Sequence, residues 1–190
     1  MVRPVGILAL QGNFSQHAAM LLHLGYAPIM VRYPKDLEAC RALIIPGGES
    51  TTMSKQIDRN GLRAPIKDFG KKNPIMGTCA GMILLSNSKN GKNMDPLNIM
   101  DFTVDRNAWG RQVYSFTDTL KLHFDKRKQF KGTFIRAPKI NQIGKQIKVL
   151  AEYNGEPVML KNSKHLVCSF HPEIGKDTRI HQFFLKNLHD

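Results

Sequence analysis

Pro74-Ile75-Met76-Gly77-Thr78-Cys79-Ala80-Gly81-Met82-Ile83-Leu84-Leu85 is the stretch on which the fold turns. A short apolar run that reads as a strand meets a turn with glycines two residues either side of a cysteine. An apolar run of helical length follows at once. This is the G-x-nucleophile-x-G pattern of a nucleophile elbow, with cysteine in place of serine. The glycines let strand and helix pass closely without Cβ clashes. The turn lifts the thiol clear of the sheet edge and sets it at a helix N-terminus, where unpaired N–H groups and the helix dipole favour thiolate. The N–H of Ala80 is placed to receive an oxyanion. The competing reading is a buried cysteine at an ordinary strand–helix junction. It ranks second because two further loops supply the parts the elbow lacks.

Upstream, Val5 to Leu10 reads as a buried strand that Gln11-Gly12-Asn13 breaks. Phe14, Ala18, Leu21 and Leu22 recur at helical spacing, and Gly25 is a C-terminal stop. Ala27 to Val31 and Ala42 to Ile45 give two more strands. This alternation of strand and helix predicts a parallel sheet with helices on both faces. The third strand runs into Pro46-Gly47-Gly48-Glu49-Ser50-Thr51-Thr52, then a helix-like stretch to about Asp58. A glycine-rich turn before a helix presents N–H groups to an anion. The spacing and lysine of a phosphate loop are missing. What remains is an oxyanion or carboxylate site, with the Gly48 N–H as a second donor beside Ala80, against a plain turn.

Downstream, Ser86 to Pro96 is polar and reads as a surface loop. From Leu97 onward β patterns dominate: Ile99 to Val104, Gln112 to Phe116, Thr133 to Arg136, and a hairpin of Ile147 to Tyr153, Asn154-Gly155 and Val158 to Leu160. The last strand, His165 to Phe170, delivers His171-Pro172-Glu173. Pro172 stiffens the link and pushes His171 toward an extended conformation. An imidazole thus leaves a strand end with a carboxylate two residues on, suited to orient it and stabilise its cation. Cys168 reads as core. Ile180, Phe183, Phe184 and Leu188 mark a closing amphipathic helix. The other six histidines lack metal-ligand spacing and read as surface or core. Cys79, His171 and Glu173 each follow a strand, where sites in α/β sheets gather. A thiol, a base, an orienting acid and two N–H donors make an acyl-transfer site. Spacing alone does not choose its substrate.

The 190 residues suit one compact domain, read as residues 1–190, and 42% hydrophobic residues make it globular. No apolar run approaches the ~20 residues that span a bilayer, and the start lacks a signal-peptide pattern. Three cysteines are too few for a disulfide framework and point to a reducing cytoplasm. The net charge of +13 is scattered, densest from Lys121 to Lys131, near Phe124 and Phe130. With no nucleic-acid module there, a solvated basic face is the better reading.

Pro46 to Thr52, Gly77 to Gly81 and Phe170-His171-Pro172-Glu173 together resemble the class I (triad) glutamine amidotransferases. Leu8 to Gly12, Arg106-Asn107 with Gly110-Arg111-Gln112, and Phe134 to Pro138 narrow the resemblance to the glutaminase subunits of the pyridoxal 5′-phosphate synthase that uses ribose 5-phosphate. Ala108-Trp109 departs from the Ser-Phe usual there. The resemblance implies an α/β three-layer sandwich with a mostly parallel, flavodoxin-like central sheet and a β-rich second half. It implies Cys79 as nucleophile, His171 as general base and acid, and Glu173 as its orienter. Gly48 and Ala80 would form the oxyanion hole, and Gly48, Glu49, Ser50, Arg106, Ile135 and Arg136 would bind L-glutamine. A buried arginine at 106 or 136 suits a carboxylate or a brace between loops, against a structural salt bridge. No metal or cofactor is implied for hydrolysis. Ammonia would pass to a (β/α)₈-barrel synthase subunit in a large hetero-oligomer, which builds pyridoxal 5′-phosphate from ribose 5-phosphate and glyceraldehyde 3-phosphate. The competing readings are a glutaminase for another synthase, such as imidazole glycerol phosphate synthase, and a non-catalytic binding module, which a substituted triad position would favour.

Overall fold

The computed structural model describes residues 4–88, 94–106, 115–186 and 188, with the backbone alone at 126–128. Strands β1 (Pro4–Leu8), β2 (Ala27–Val31), β3 (Ala42–Ile45) and β4 (Ile75–Thr78) alternate with helices α1 (Phe14–His23), α2 (Ser50–Arg59), α3 (Arg63–Lys72) and α4 (Ala80–Leu85). The second half supplies β5 (Phe102–Asp105), β6 (Ser115–Leu122), β7 (Asp125–Ile135), β8 (Lys139–Ile143), β9 (Lys148–Tyr153), β10 (Glu156–Lys161), β11 (Leu166–Cys168) and a closing helix α5 (Arg179–Lys186). Nine strands form one sheet in the order β2-β1-β3-β4-β11-β10-β9-β6-β7, and β5 pairs with β8 apart from it.

The five strands from β2 to β11 are parallel, and the four beyond are antiparallel. The near-continuous burial of β1, β3, β4 and β11 follows from helices covering both faces of the parallel part. Alternation then sorts the side chains. Val5, Ile7, Ala42, Ile44 and Met76 pack with Ala18 and Leu21 of α1 and Ile180, Phe184 and Leu185 of α5. Leu8, Val31, Leu43, Ile45 and Ile75 pack with Met53 and Ile57 of α2, Ile66 and Phe69 of α3, and Met82 of α4. The expected layering of helices on both faces of the sheet is present.

The hairpin between β9 and β10 has a two-residue loop in which Asn154 (φ 50°) and Gly155 (φ 78°) both take positive φ. Both central residues of the twist-matched I′ turn need that sign, which is why Asn-Gly predicts it. Three readings differ from the structure. The expected strand from Ile99 starts only at Phe102, because the Ile99 and Met100 N–H groups donate to Leu85 O at the end of α4 and Asn98 takes a φ of 52°. Ser86 to Pro96 is not simply surface: Ser86, Ser88, Met94 and Pro96 are buried, and the Ser88 hydroxyl accepts from Val104 N. Residues 89–93 of that stretch, Asn107 to Gln112 of the arginine motif, and the first part of the strand placed at Gln112 lie outside the described residues. Finally, α3 was not anticipated. Pro65 lies in its first turn, where a missing N–H costs nothing.

The aromatics near the basic segment are structural. Phe130 is buried and Phe124 stacks on Phe183 with centroids 3.9 Å apart. They offer no stacking platform for bases. Among the described residues no helix is long and apolar enough to cross a membrane.

Candidate active site

Because β3, β4 and β11 are adjacent and parallel, the residues that follow them leave the same sheet edge. Gly47 to Glu49 follow β3, Cys79 follows β4, and His171 follows β11; the loop after β1 brings Gln11 and Asn13 to the same place.

Cys79 sits at φ 49°, ψ −105°, an elbow conformation that costs on the order of 1–3 kcal/mol in a residue with a side chain. Its N–H donates to Cys168 O at 2.8 Å, which ties the elbow to the neighbouring strand. The flanking glycines are required by contact distance. A Cβ on Gly81 would lie 2.0 Å from Ile45 O, and one on Gly77 would lie 2.7 Å from the Gly81 backbone. The thiol is 7% exposed and lies 3.7 Å from Ile135 O.

The His171 N–H donates to Thr133 O at 2.8 Å, and its Nδ1 lies 2.7 Å from Glu173 Oε1. With Nδ1 so engaged, Nε2 is the ring nitrogen left to serve the Cys79 side chain. Both His171 and Glu173 are buried. Burial alone would lower the pKa of His171, but the neighbouring Cys79 side chain and the hydrogen bond to Glu173, with their charge, raise it instead. Burial alone would raise Glu173; the hydrogen bond from His171, with the imidazoles of His17 and His171 beside it, holds it well below the usual carboxylate range. The arrangement keeps a proton on the imidazole and a negative charge behind it.

Asn13 joins this pair to the glycine turn. Its Nδ2 donates to Glu173 Oε1 at 3.1 Å and lies 3.4 Å from His171 Nδ1, while its backbone N–H donates to Gly47 O at 3.3 Å. A trans peptide then sends the Gly48 N–H to the side away from Asn13. Gln11 Oε1 accepts from Glu49 N at 3.1 Å. Glu49 caps α2 by accepting from the Thr51 and Thr52 N–H groups, and Arg106 Nη2 lies 3.2 Å from both Glu49 Oε1 and Thr51 Oγ1.

These parts enclose a pocket of about 370 Å³, within the usual size of small-molecule sites, roughly 300–1,000 Å³. Gly48, Glu49, Ser50, Cys79, Ala80, Arg106, Ile135, Arg136 and His171 all line it, and Glu173 stands behind His171. Ser50 Oγ is buried there and has no hydrogen-bond partner among the described residues. The two arginines part ways. Arg106 is half-buried and braces the glycine turn through Glu49, whereas Arg136 is exposed, at φ 43°. A buried position for Arg136 is therefore corrected. It follows the last residue of β7, and its side chain is exposed while Ala137 and Pro138 after it are buried.

Asn13, Gln11, His17 and His181 were not singled out by residue pattern. The signal that would have raised the first two is position, since Gln11-Gly12-Asn13 leaves a parallel strand at the same edge as Cys79. His17 and His181 read only as "surface or core"; both are fully buried against Glu173 or one another.

Residues 7–190 match the SNO glutamine amidotransferase family. The chain belongs to that family. It is 43% identical over 183 residues to the pyridoxal 5′-phosphate synthase subunit PdxT of Shouchella clausii, covering 96% of this chain and 93% of that one. Against PdxT of Methanoregula boonei the identity is 44%, with 97% and 98% covered. A solved glutamine amidotransferase superposes with a TM-score of 0.91 at 39% identity over 98% of this chain and 99% of that one. PurLQS from Thermotoga maritima, at 14% identity and a TM-score of 0.76, shares the fold.

Proposed function

We propose that this chain is the glutaminase subunit of a pyridoxal 5′-phosphate synthase, converting L-glutamine to L-glutamate and ammonia. The observation that carries the reading is the line Cys79–His171–Glu173 at one wall of a pocket whose other wall is the Gly47-Gly48 turn. The near full-length likeness to PdxT chains supports the pathway.

In this reading Cys79 Sγ attacks the side-chain amide carbon of glutamine while His171 holds the proton that the thiol gives up. The C=O π bond opens, and the oxyanion is received by the N–H groups of Gly48 and Ala80. The intermediate collapses to a thioester as His171 Nε2–H protonates the leaving nitrogen, releasing ammonia. Water then attacks the thioester, His171 takes its proton, and glutamate leaves as that proton returns to sulfur. Glu173 stays ionised and supports the imidazolium in both halves. Glu49, Ser50, Arg106, Ile135 and Arg136 bind the glutamine, Ser50 Oγ offering a hydroxyl that has no partner among the described residues. The protein works with a synthase partner. That partner is a (β/α)₈-barrel subunit in a large hetero-oligomer, and ammonia reaches it without release to water, in the cytoplasm.

Glutamate release from glutamine, measured with and without the barrel subunit, tests the reading. Turnover that rises with the partner and couples to pyridoxal 5′-phosphate formation is expected. Absence of glutamate release in the assembled complex would overturn it.

A further inference from the structure

Behind Glu173 lies a pair of imidazoles that no step above uses. His17, from α1, and His181, from α5, are both 0% exposed. His17 Nδ1 lies 3.0 Å from His181 Nε2. On its other side, His17 Nε2 lies 3.3 Å from Thr78 Oγ1 and 3.4 Å from Glu173 Oε2. That carboxylate oxygen is the one His171 and Asn13 leave alone, since both address Oε1. It is buried and accepts no hydrogen bond among the described residues, His17 Nε2 being the nitrogen that approaches it. A buried carboxylate oxygen with no donor nearby is costly, so the identity of the atom facing it matters.

Burial holds both histidines neutral, lowering His17 and pushing His181 down to about 3. Each ring therefore carries one proton, and two arrangements compete. In the first, His181 Nε2–H donates to His17 Nδ1, and His17 Nε2–H points at Thr78 Oγ1 and Glu173 Oε2. The atom left over is His181 Nδ1, a bare lone pair, and it is the ring nitrogen without a hydrogen-bond partner among the described residues. In the second, His17 Nδ1–H donates to His181. The His17 Nε2 lone pair then faces a carboxylate, and His181 Nδ1–H becomes a buried donor with no acceptor. Both consequences are unfavourable, so the first arrangement prevails.

Resting on the glutaminase reading, we propose that His17 and His181 are positioning residues for the reaction: His181 fixes the His17 tautomer, and His17 Nε2–H holds Glu173 aimed at His171. The directed line then runs His181, His17, Glu173, His171, Cys79, with every N–H pointing toward the sulfur or the carboxylate.

The test is kinetic and spectroscopic, on the complex with its synthase subunit. His17→Leu should lower kcat for glutamine hydrolysis about 10-fold or more, the usual size for a lost partner behind a site residue, with KM for glutamine within about twofold. His17→Gln, whose amide N–H can reach the same oxygen, should restore most of that loss. His181→Phe should fall between them, because it frees His17 to adopt the other tautomer. An unchanged kcat in His17→Leu, or His17→Gln as impaired as His17→Leu, overturns the proposal. Nitrogen-15 NMR of the wild-type chain reads the tautomers without any variant. His17 and His181 both protonated at Nε2 is the expected result, and His17 protonated at Nδ1 overturns it. A wild-type complex that releases no glutamate overturns the glutaminase reading as well; normal wild-type turnover with an unaffected His17→Leu overturns this proposal alone.

Discussion

Three thiols allow a direct comparison at the residue scale. Cys40 is pushed up to about 11 by burial and by the charge of Asp36, and burial with the charge of Glu173 raises Cys168 as well. Cys79 alone lies beside an imidazole and opens on the pocket. A glutamine-like electrophile should therefore label Cys79 in preference to the other two, as read by peptide mapping; label found chiefly on Cys168 would remove Cys79 from the nucleophile role. Cys79→Ser should abolish glutaminase activity with little change in the urea midpoint, since the elbow glycines and surrounding core remain. His171→Ala should lower turnover by about 10²-fold or more. Glu173→Gln should cost as much or less, and the two together should be less than additive, because residues acting as a unit lose activity as a unit. Multiplicative losses in the double variant would separate them. These residues were legible because proline and glycine leave few conformations around them. His17 was not legible, since a histidine on an apolar helix face has the same pattern whether it touches a carboxylate or only fills a core.

At the scale of elements, the glycines are where sequence dictates how closely segments approach. Gly81→Ala would drive a methyl group into Ile45 O, 2.0 Å from the ideal Cβ position, so α4 must lift from β3. A loss on the order of 3 kcal/mol or more is expected in urea denaturation, the range of strained or overpacked substitutions. Gly12 makes a different contact. A Cβ there would fall 1.7 Å from Gly47 O, and its φ is +86°. Gly12→Ala should displace the Gly47-Gly48 turn and lower kcat by about 10²-fold, the size of one lost oxyanion donor. A variant that loses stability yet keeps full turnover would show that the turn is not part of the site. The Asn-Gly hairpin was read correctly, but β6 runs on to Leu122 and β7 begins at Asp125, so the strands read to Phe116 and from Thr133 are the ends of one longer hairpin. The late start of β5 is decided by tertiary hydrogen bonds, those from Ile99 and Met100 to Leu85. α3 was missed although Leu62, Ile66 and Phe69 recur at helical spacing along its buried face.

On the scale of the whole molecule, acid should weaken the fold before any carboxylate titrates. His165 is lowered to about 4 by burial, with Lys164 adding to it, and His181 and His17 are lowered as well. His165 Nδ1 accepts from Ile75 N at 3.1 Å, a bond that protonation removes. Each group binds more protons unfolded than folded below about pH 6.5, so stability falls as pH drops from there toward 4. His171 is raised, and its contribution is already complete below the unfolded value. It does not change in this window. Glu49 and Glu173, both lowered to about 2, add further loss only below about pH 4.5. Between pH 6.5 and 4.5 each shifted histidine contributes up to about 1.4 kcal/mol per pH unit. A urea midpoint that is flat or rises on acidification across that range would contradict the assignment. The synthase partner acts at the same scale. The Gly47-Gly48 peptide can turn its N–H or its carbonyl toward the oxyanion, so docking should raise glutaminase activity by up to about 10²- to 10³-fold. With a charge of +13, the affinity should weaken across a salt series. Full activity of the isolated chain would exclude the switch.

The position of β11 between β4 and β10 also sets a timetable for synthesis. β4 emerges from the ribosome with one edge paired to β3 and the other open, and its second neighbour is encoded 90 residues later, as the Ile75–His165 contact spans. Sheets closed by such distant pairings fold slowly and leave unpaired strand edges exposed meanwhile. The Cys79 thiol is therefore translated early, and His171, its proposed base, arrives only after β11. On the proposed mechanism, a growing chain carries no competent nucleophile until the sheet that protects it has closed.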